Sequence, residues 1–251
     1  MKRLTLWTLI AALAAVLVWT TIARTQDPIA AIDAAYAKRD GTDVAAKQSL
    51  ALAEQVLASN PNNYEAAWRA ARSCFWVCDR TLNSDVKKQY GKRGWDWGLK
   101  AISLAPNRVE GYYYGVISMG EYGKGIGIPR ALLNGLGGKY EEMCNKAIAI
   151  NAAFDRGGPL RAMGRYFQLL PRLVRKLDKA EQYLKKSEAI GPCMTRTRDY
   201  LVELYVEQEN WAAARATAQL ALNTAGCPEH AWECEYYKQQ IRELQKKFPP
   251  Q

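Results

Sequence analysis

One histidine, His230, is all the imidazole in 251 residues. That scarcity excludes most acid–base and nucleophilic chemistry, because Ser–His and Cys–His pairs need an imidazole beside the nucleophile, and His230 reads as part of a helix cap. The chain has no Cys-x-x-Cys pair, a common half-site of zinc proteins. Cys74 and Cys78 are spaced i, i+4 on one helix, which suits metal ligation, a local disulfide or two buried thiols. Phosphate-binding loops fail too: Ser118 stands where the first glycine before Gly123-Lys124 is needed, and Gly125 where Ser or Thr should follow. Gly125-x-Gly127 runs into Pro129-Arg130 with no third glycine and no preceding strand, so it is not a dinucleotide fingerprint. Acidic pairs such as Glu141-Glu142 lie on alanine-rich helices, where a solvated face is the default. No run alternates as a strand, and no Ser/Gly/Pro-rich linker divides the chain. What remains is an all-α protein with no expected catalytic site, metal or cofactor.

What the chain does have is recurrent punctuation. Helix-like stretches end at Leu57-Ala58-Ser59-Asn60-Pro61-Asn62, Ile102-Ser103-Leu104-Ala105-Pro106-Asn107, Ile148-Ala149-Ile150-Asn151-Ala152 and Glu188-Ala189-Ile190-Gly191-Pro192. From Pro61 to Pro106 to Ala152 to Pro192 the intervals are 45, 46 and 40 residues, and Gly226 follows 34 later. Such a period marks a stack of helical hairpins, since one hairpin cannot bury its own apolar face. The best-formed unit is Leu201 to Ala221, where an apolar pair, Tyr205, a polar turn, Trp211 and then Ala214, Ala218 and Ala221 resemble the tetratricopeptide repeat. Those alanines allow close helix approach. Earlier core positions are Ala67, Ala70, Ala71 and Cys74, then Tyr112, Gly115, Val116 and Met119, then Leu160, Met163, Gly164 and Phe167. Spacings above the usual ~34 residues imply extra material at Asp79–Lys92 and Gly120–Lys139. Upstream, Ile29–Arg39 and Thr42–Ser59 read as helices, and Glu229–Phe248 reads as a cap. The predicted fold is a tetratricopeptide-like solenoid over residues 27–251, with about four hairpins plus capping helices.

Residues 1–23 pose a separate question. Lys2 and Arg3 precede an uncharged apolar stretch from Leu4 to Ala23, which reads as a signal peptide or an uncleaved N-terminal membrane anchor. Either places the bulk of the chain outside, periplasmic or held to the outer face of the cytoplasmic membrane. Six cysteines suit an oxidising space. Repeat geometry favours Cys193 with Cys227, at opposite ends of one hairpin that returns on itself, with Cys234 a competing partner for Cys227.

The net charge is +10, and the loss of Lys2 and Arg3 leaves +8 on the exported part. Much of it falls between Arg156 and Lys186. Outside a membrane such charge points away from nucleic acid and toward an acidic protein, an anionic ligand or phospholipid head groups, with a solvated basic face as the plain alternative. First helices of tetratricopeptide hairpins line the concave groove. Taking groove positions as one residue after the core ones places Trp68, Arg72 and Trp76 there in the first unit. The second unit supplies Tyr113, Ile117 and Glu121, and the third Arg161 and Arg165. Aromatic and arginine side chains anchor ligands by buried area and bidentate hydrogen bonds, although the tryptophans fit a core equally well.

The Gly-rich insert from Gly120, then Cys144-Asn145-Lys146-Ala147-Ile148-Ala149-Ile150-Asn151 and Gly157-Gly158-Pro159-Leu160-Arg161-Ala162-Met163-Gly164-Arg165-Tyr166-Phe167-Gln168-Leu169-Leu170-Pro171, resemble the tetratricopeptide (T) component associated with periplasmic TRAP transporters. The resemblance extends over about residues 45–225. It implies hairpins closing around a tunnel for a hydrophobic ligand, and association with an extracytoplasmic solute-binding protein. The chain departs from that family in lacking a lipid-anchoring cysteine. A shorter motif, Asn60-Pro61-Asn62-Asn63-Tyr64-Glu65-Ala66-Ala67-Trp68-Arg69-Ala70-Ala71-Arg72, is similar to regulators of microtubule dynamics. The expected function is therefore that of an exported, non-catalytic binding protein, either a ligand-binding accessory of a transport system or an envelope scaffold for other proteins.

Overall fold

A computed structural model describes residues 27–250; the apolar stretch 1–23 lies outside them. Among the described residues there are twelve α-helices, one 3-10 turn and no strand. The helices are α1 (Pro28–Ala37), α2 (Val44–Ser59), α3 (Tyr64–Asp79), α4 (Ser84–Leu104), α5 (Val109–Ile126), α6 (Ile128–Leu133), α7 (Leu136–Asn151), α8 (Phe154–Leu169), α9 (Leu177–Ile190), α10 (Thr195–Glu207), α11 (Trp211–Asn223) and α12 (Ala231–Gln245). Asparagine opens several of them for a local reason. The side chains of Asn63, Asn83 and Asn210 accept from backbone N–H groups of the first turn, which have no partner within the helix.

Helices pair as α1/α2, α3/α4, α5/α7, α8/α9 and α10/α11, and α12 packs on the last pair. First helices also touch one another in succession, α1 to α3 to α5 to α8 to α10 to α12, and so form a continuous inner layer. This is the tetratricopeptide arrangement. The two upstream helices are a hairpin in their own right, one more than the punctuation implied. In α10/α11 the small residues behave as read: Ala214, Ala218 and Ala221 are buried beneath Leu201, Val202 and Tyr205.

The two long intervals have different structural origins. Asp79–Lys92 is not an inserted loop, because Asn83 caps a new helix after a short turn and the surplus lengthens α4 to 21 residues. Over that extra length α4 lies against α5 backbone to backbone. A Cβ on Gly98 would sit 2.3 Å from Gly115 Cα, and one on Gly91 2.5 Å from the Tyr122 amide nitrogen. Glycine at these positions lets both helices run on past the usual hairpin length in contact. The Gly120–Lys139 surplus is shared between the end of α5 and the short helix α6, which begins after Gly127 at φ 90°.

Two features close the stack. Cys193 and Cys227 form a disulfide with Cα atoms 5.0 Å apart, tying the start of α10 to the segment before α12; Cys74, Cys78, Cys144 and Cys234 are buried thiols. The superhelix also curls until α12 meets the N-terminal hairpins. Trp232 stacks edge-on to Trp76 at 6.2 Å and lies against Gly41, and Arg196 of α10 pairs with Asp79 of α3, 117 residues away, at 2.9 Å. No helix among the described residues is long and apolar enough to cross a membrane.

Candidate functional site

Among the described residues the inner layer lines a cavity of about 110 Å³, well above the ~10–15 Å³ that a water needs. Four first helices feed it from one face each, with residues spaced four apart: Phe75 and Asp79 of α3, Tyr113, Ile117 and Glu121 of α5, Arg161 and Arg165 of α8, and Arg196 and Tyr200 of α10. Side chains at i and i+4 share a helix face, so a groove built from parallel first helices displays this register. The other end is apolar. Ile128, Leu132 and Leu136 come from the α5–α7 connection and Leu169 and Leu170 from the end of α8.

Five of the expected groove residues, Tyr113, Ile117, Glu121, Arg161 and Arg165, therefore meet at one cavity. Trp68, Arg72 and Trp76 do not line it. In α3 the cavity-facing positions are Phe75 and Asp79, one residue out of phase with the expected set. Trp68 stacks on Tyr114 at 5.6 Å, Arg72 pairs with Asp33 of α1 at 2.7 Å, and Trp76 packs between Tyr36 and Trp232. The physical reason is that α1 and α12 both cover this face of α3, so these side chains are core. Cavity residues from α10 went unforeseen: carried one hairpin further, the expected register gives Asp199 and Glu203, whereas Arg196 and Tyr200 line the cavity.

At the polar end the charges are tightly matched. Arg161 reaches Asp155 at 2.6 Å, Tyr113 donates to the same carboxylate at 2.6 Å, and His230 lies 3.5 Å from it. Asp155, Arg156 and Gly157 are consecutive left-handed residues, an arrangement costly for Asp and Arg, that turns the Asp155 carboxylate inward at the start of α8. A Cβ on Gly158 would lie 2.7 Å from the Tyr113 ring. Burial alone would raise the Asp155 carboxyl, but His230 and Arg161 hold it below its ordinary range. Burial likewise opposes charge on His230, yet Asp155 and Glu233 hold its imidazole at about 9. Glu121 is gripped by Lys87 and by Lys124, and Arg165 by Glu203 and Gln168. Much of the basic run between Arg156 and Lys186 is thus spent on internal pairing.

Some donors are not spent. Arg196 pairs with Asp79 and with Glu233 at 2.7 Å, but its Nε is buried without a hydrogen-bond partner. Arg80 pairs with Asp79 and otherwise sits among rings, 4.2 Å from Tyr236, 4.7 Å from Trp232 and 4.9 Å from Trp76. Beside the cavity, burial first and then Glu203 push the Asp199 carboxyl well above the ordinary range, and its Oδ1 has no partner. Among the described residues no group of three His, Cys, Asp or Glu is placed to hold a metal ion.

This architecture is that of a tetratricopeptide-like solenoid. A thermophilic TPR protein of Thermus thermophilus has the same fold, with a TM-score of 0.63 over 88% of this chain and 97% of that one at 19% identity. MamA aligns at a TM-score of 0.45 and 14% identity, covering 81% of this chain and 90% of its own. Yeast Tom70 aligns at 0.31 and 12%, over 81% of this chain and 60% of its own. Residues 29–156, just over half of the chain, match the family model of regulator of microtubule dynamics protein 1-3. The chain belongs to that family. A search of the curated proteins finds no match. The matched segment supplies α1 to α7 and the turn that opens α8, so the cavity straddles its end.

Proposed function

We propose that this chain is a non-catalytic binding protein whose inner cavity holds an amphiphilic small molecule. The apolar part would lie among Leu132, Leu136 and Leu170, and an anionic head group would sit toward Arg161, Arg165 and Arg196. The observation that carries this reading is that one cavity is lined both by aliphatic side chains and by three arginines. Mass spectrometry of protein purified under native conditions should find a bound amphiphile, and Arg165→Gln, at a lining position outside the closure of the stack, should lower its occupancy severalfold. Protein that arrives empty and takes up no anionic amphiphile would overturn the reading.

Within this function, the T-component resemblance supports a more specific role, an accessory of an extracytoplasmic transport system that exchanges its ligand with a solute-binding protein. That role needs export by Leu4–Ala23. A reporter that folds only outside the cytoplasm, fused after residue 40, should be active and should lose activity when residues 1–23 are deleted. A second reading is a scaffold for protein partners. It is favoured by the tetratricopeptide fold and by membership of a family described as regulating microtubule dynamics. Co-purification of a stoichiometric protein partner with the cavity empty would favour it.

A further inference from the structure

Scattered exposed leucines are ordinary on protein surfaces; leucines exposed in register are not. Because the helices of each hairpin run antiparallel, all turns within hairpins fall along one edge of the solenoid, and all turns between hairpins fall along the other. The most exposed large apolar side chains among the described residues are Leu82 at 100%, Leu173 at 99% and Leu133 at 88%. They occupy the α3–α4, α8–α9 and α5–α7 turns, three successive hairpins of the same edge. Val44, next in exposure, begins α2 on that edge as well, and Val174 stands beside Leu173.

Cations accompany two of these tips. Arg130 and Lys139 flank Leu133 in a segment, 127–139, that has no acidic residue. Arg172, Lys176 and Lys179 surround Leu173 with Asp178 as the one acid in 170–179. These five exposed cations enter none of the ion pairs among the described residues, in contrast to the spent arginines inside. The same two turns build the apolar end of the cavity, through Ile128, Leu132 and Leu136 on one side and Leu169 and Leu170 on the other.

We propose that this edge docks on an anionic lipid bilayer, with Leu133 and Leu173 inserted among the head groups and the neighbouring cations on lipid phosphates. Apolar insertion and polybasic attraction are the two signals that together hold a peripheral protein to a membrane. Docked in this way, the apolar end of the cavity faces the acyl region. That consequence rests on the amphiphile reading above, whereas the docking itself does not.

The test uses the full chain, so association through residues 1–23 must be separated from contact at the edge. Leu133→Cys, Leu173→Cys and, as a control on the opposite edge, Asn107→Cys would each be labelled with an environment-sensitive fluorophore; the four thiols of the described residues are buried. Mixed with vesicles containing phosphatidylserine, labels at 133 and 173 should shift to the blue, while the label at 107 should not. On phosphatidylcholine alone the shift should be small. Replacing Arg172, Lys176 and Lys179 by Gln should weaken the response at 133 by roughly fivefold per cation removed. Equal shifts at all three positions, or none at 133 and 173, would overturn the docking. Mass spectrometry of the same preparations keeps the two claims apart. A filled cavity with no shift defeats docking alone, and a shift with an empty cavity defeats the amphiphile alone.

Discussion

Asp155 gathers more of the interior than any residue the sequence singled out, and nothing in its immediate neighbours' chemistry announces it. Its carboxylate receives Tyr113 from α5, Arg161 from its own helix and His230 from the turn before α12. His230, the lone imidazole, is thereby a cation wedged between Asp155 and Glu233, which makes stability sensitive to alkali. Its folded-state value of about 9 lies above the ordinary 6.5. The stabilisation is therefore complete below about 6.5 and is lost as pH rises toward and through 9. Urea unfolding between pH 6 and 10 should show a decline on the order of 1–3 kcal/mol, and His230→Gln should flatten that part of the profile. Of the groove residues, Tyr113 and Arg161 were legible because repeat register alone places them. Asp155 was not, because a run of left-handed backbone, not a helical period, aims it. Trp68, Arg72 and Trp76 lie in the core instead, the alternative the sequence left open for the tryptophans, because register gives the face of a helix but not what other elements later cover.

Helix existence and hairpin pairing were readable from proline, asparagine and alanine spacing, since those residues act within a turn or two of themselves. The surplus at Asp79–Lys92 was read as extra material without a conformation, and it proves to be added length of α4. Its signal was present in Gly91, Gly94 and Gly98, which mean a loop only when nothing packs on them. Here they mark contact with α5. Gly98→Val should force the two backbones apart and cost about 3 kcal/mol or more, measured by thermal or denaturant unfolding, with the helix content of the folded protein little changed. At the other end of the chain, the Cys193–Cys227 link spans 34 residues. Replacing both by Ser should lower stability by about 3–4 kcal/mol, and the loss should disappear when both proteins are compared under reducing conditions.

Across the whole molecule, the contact that sequence could least foretell is the one that joins α3 to α10 and α12. Asp79 and Arg196 belong to different hairpins of an apparently linear series, and only the accumulated curvature of the stack brings them together. Burial alone would raise the Asp79 carboxyl, but Arg196 and Arg80 hold it below its usual range. A double-mutant cycle with Asp79→Asn and Arg196→Gln should therefore return a coupling energy of about 1–3 kcal/mol; a value near zero would mean that the two hairpins are energetically independent.

Such closure changes how the protein should melt. In an open stack each unit feels only its nearest neighbours, so the ends fray first and the array unzips one hairpin at a time. Here α10 and α12 brace α3 and the α1–α2 turn through Arg196, Trp232 and the ring of aromatics around Arg80, so neither end of the described stack is free. Amide exchange in α1 and α12 should then approach the slow rates of α5 and α8, and the chain should lose its structure in one transition, as a hoop fails when any stave is drawn.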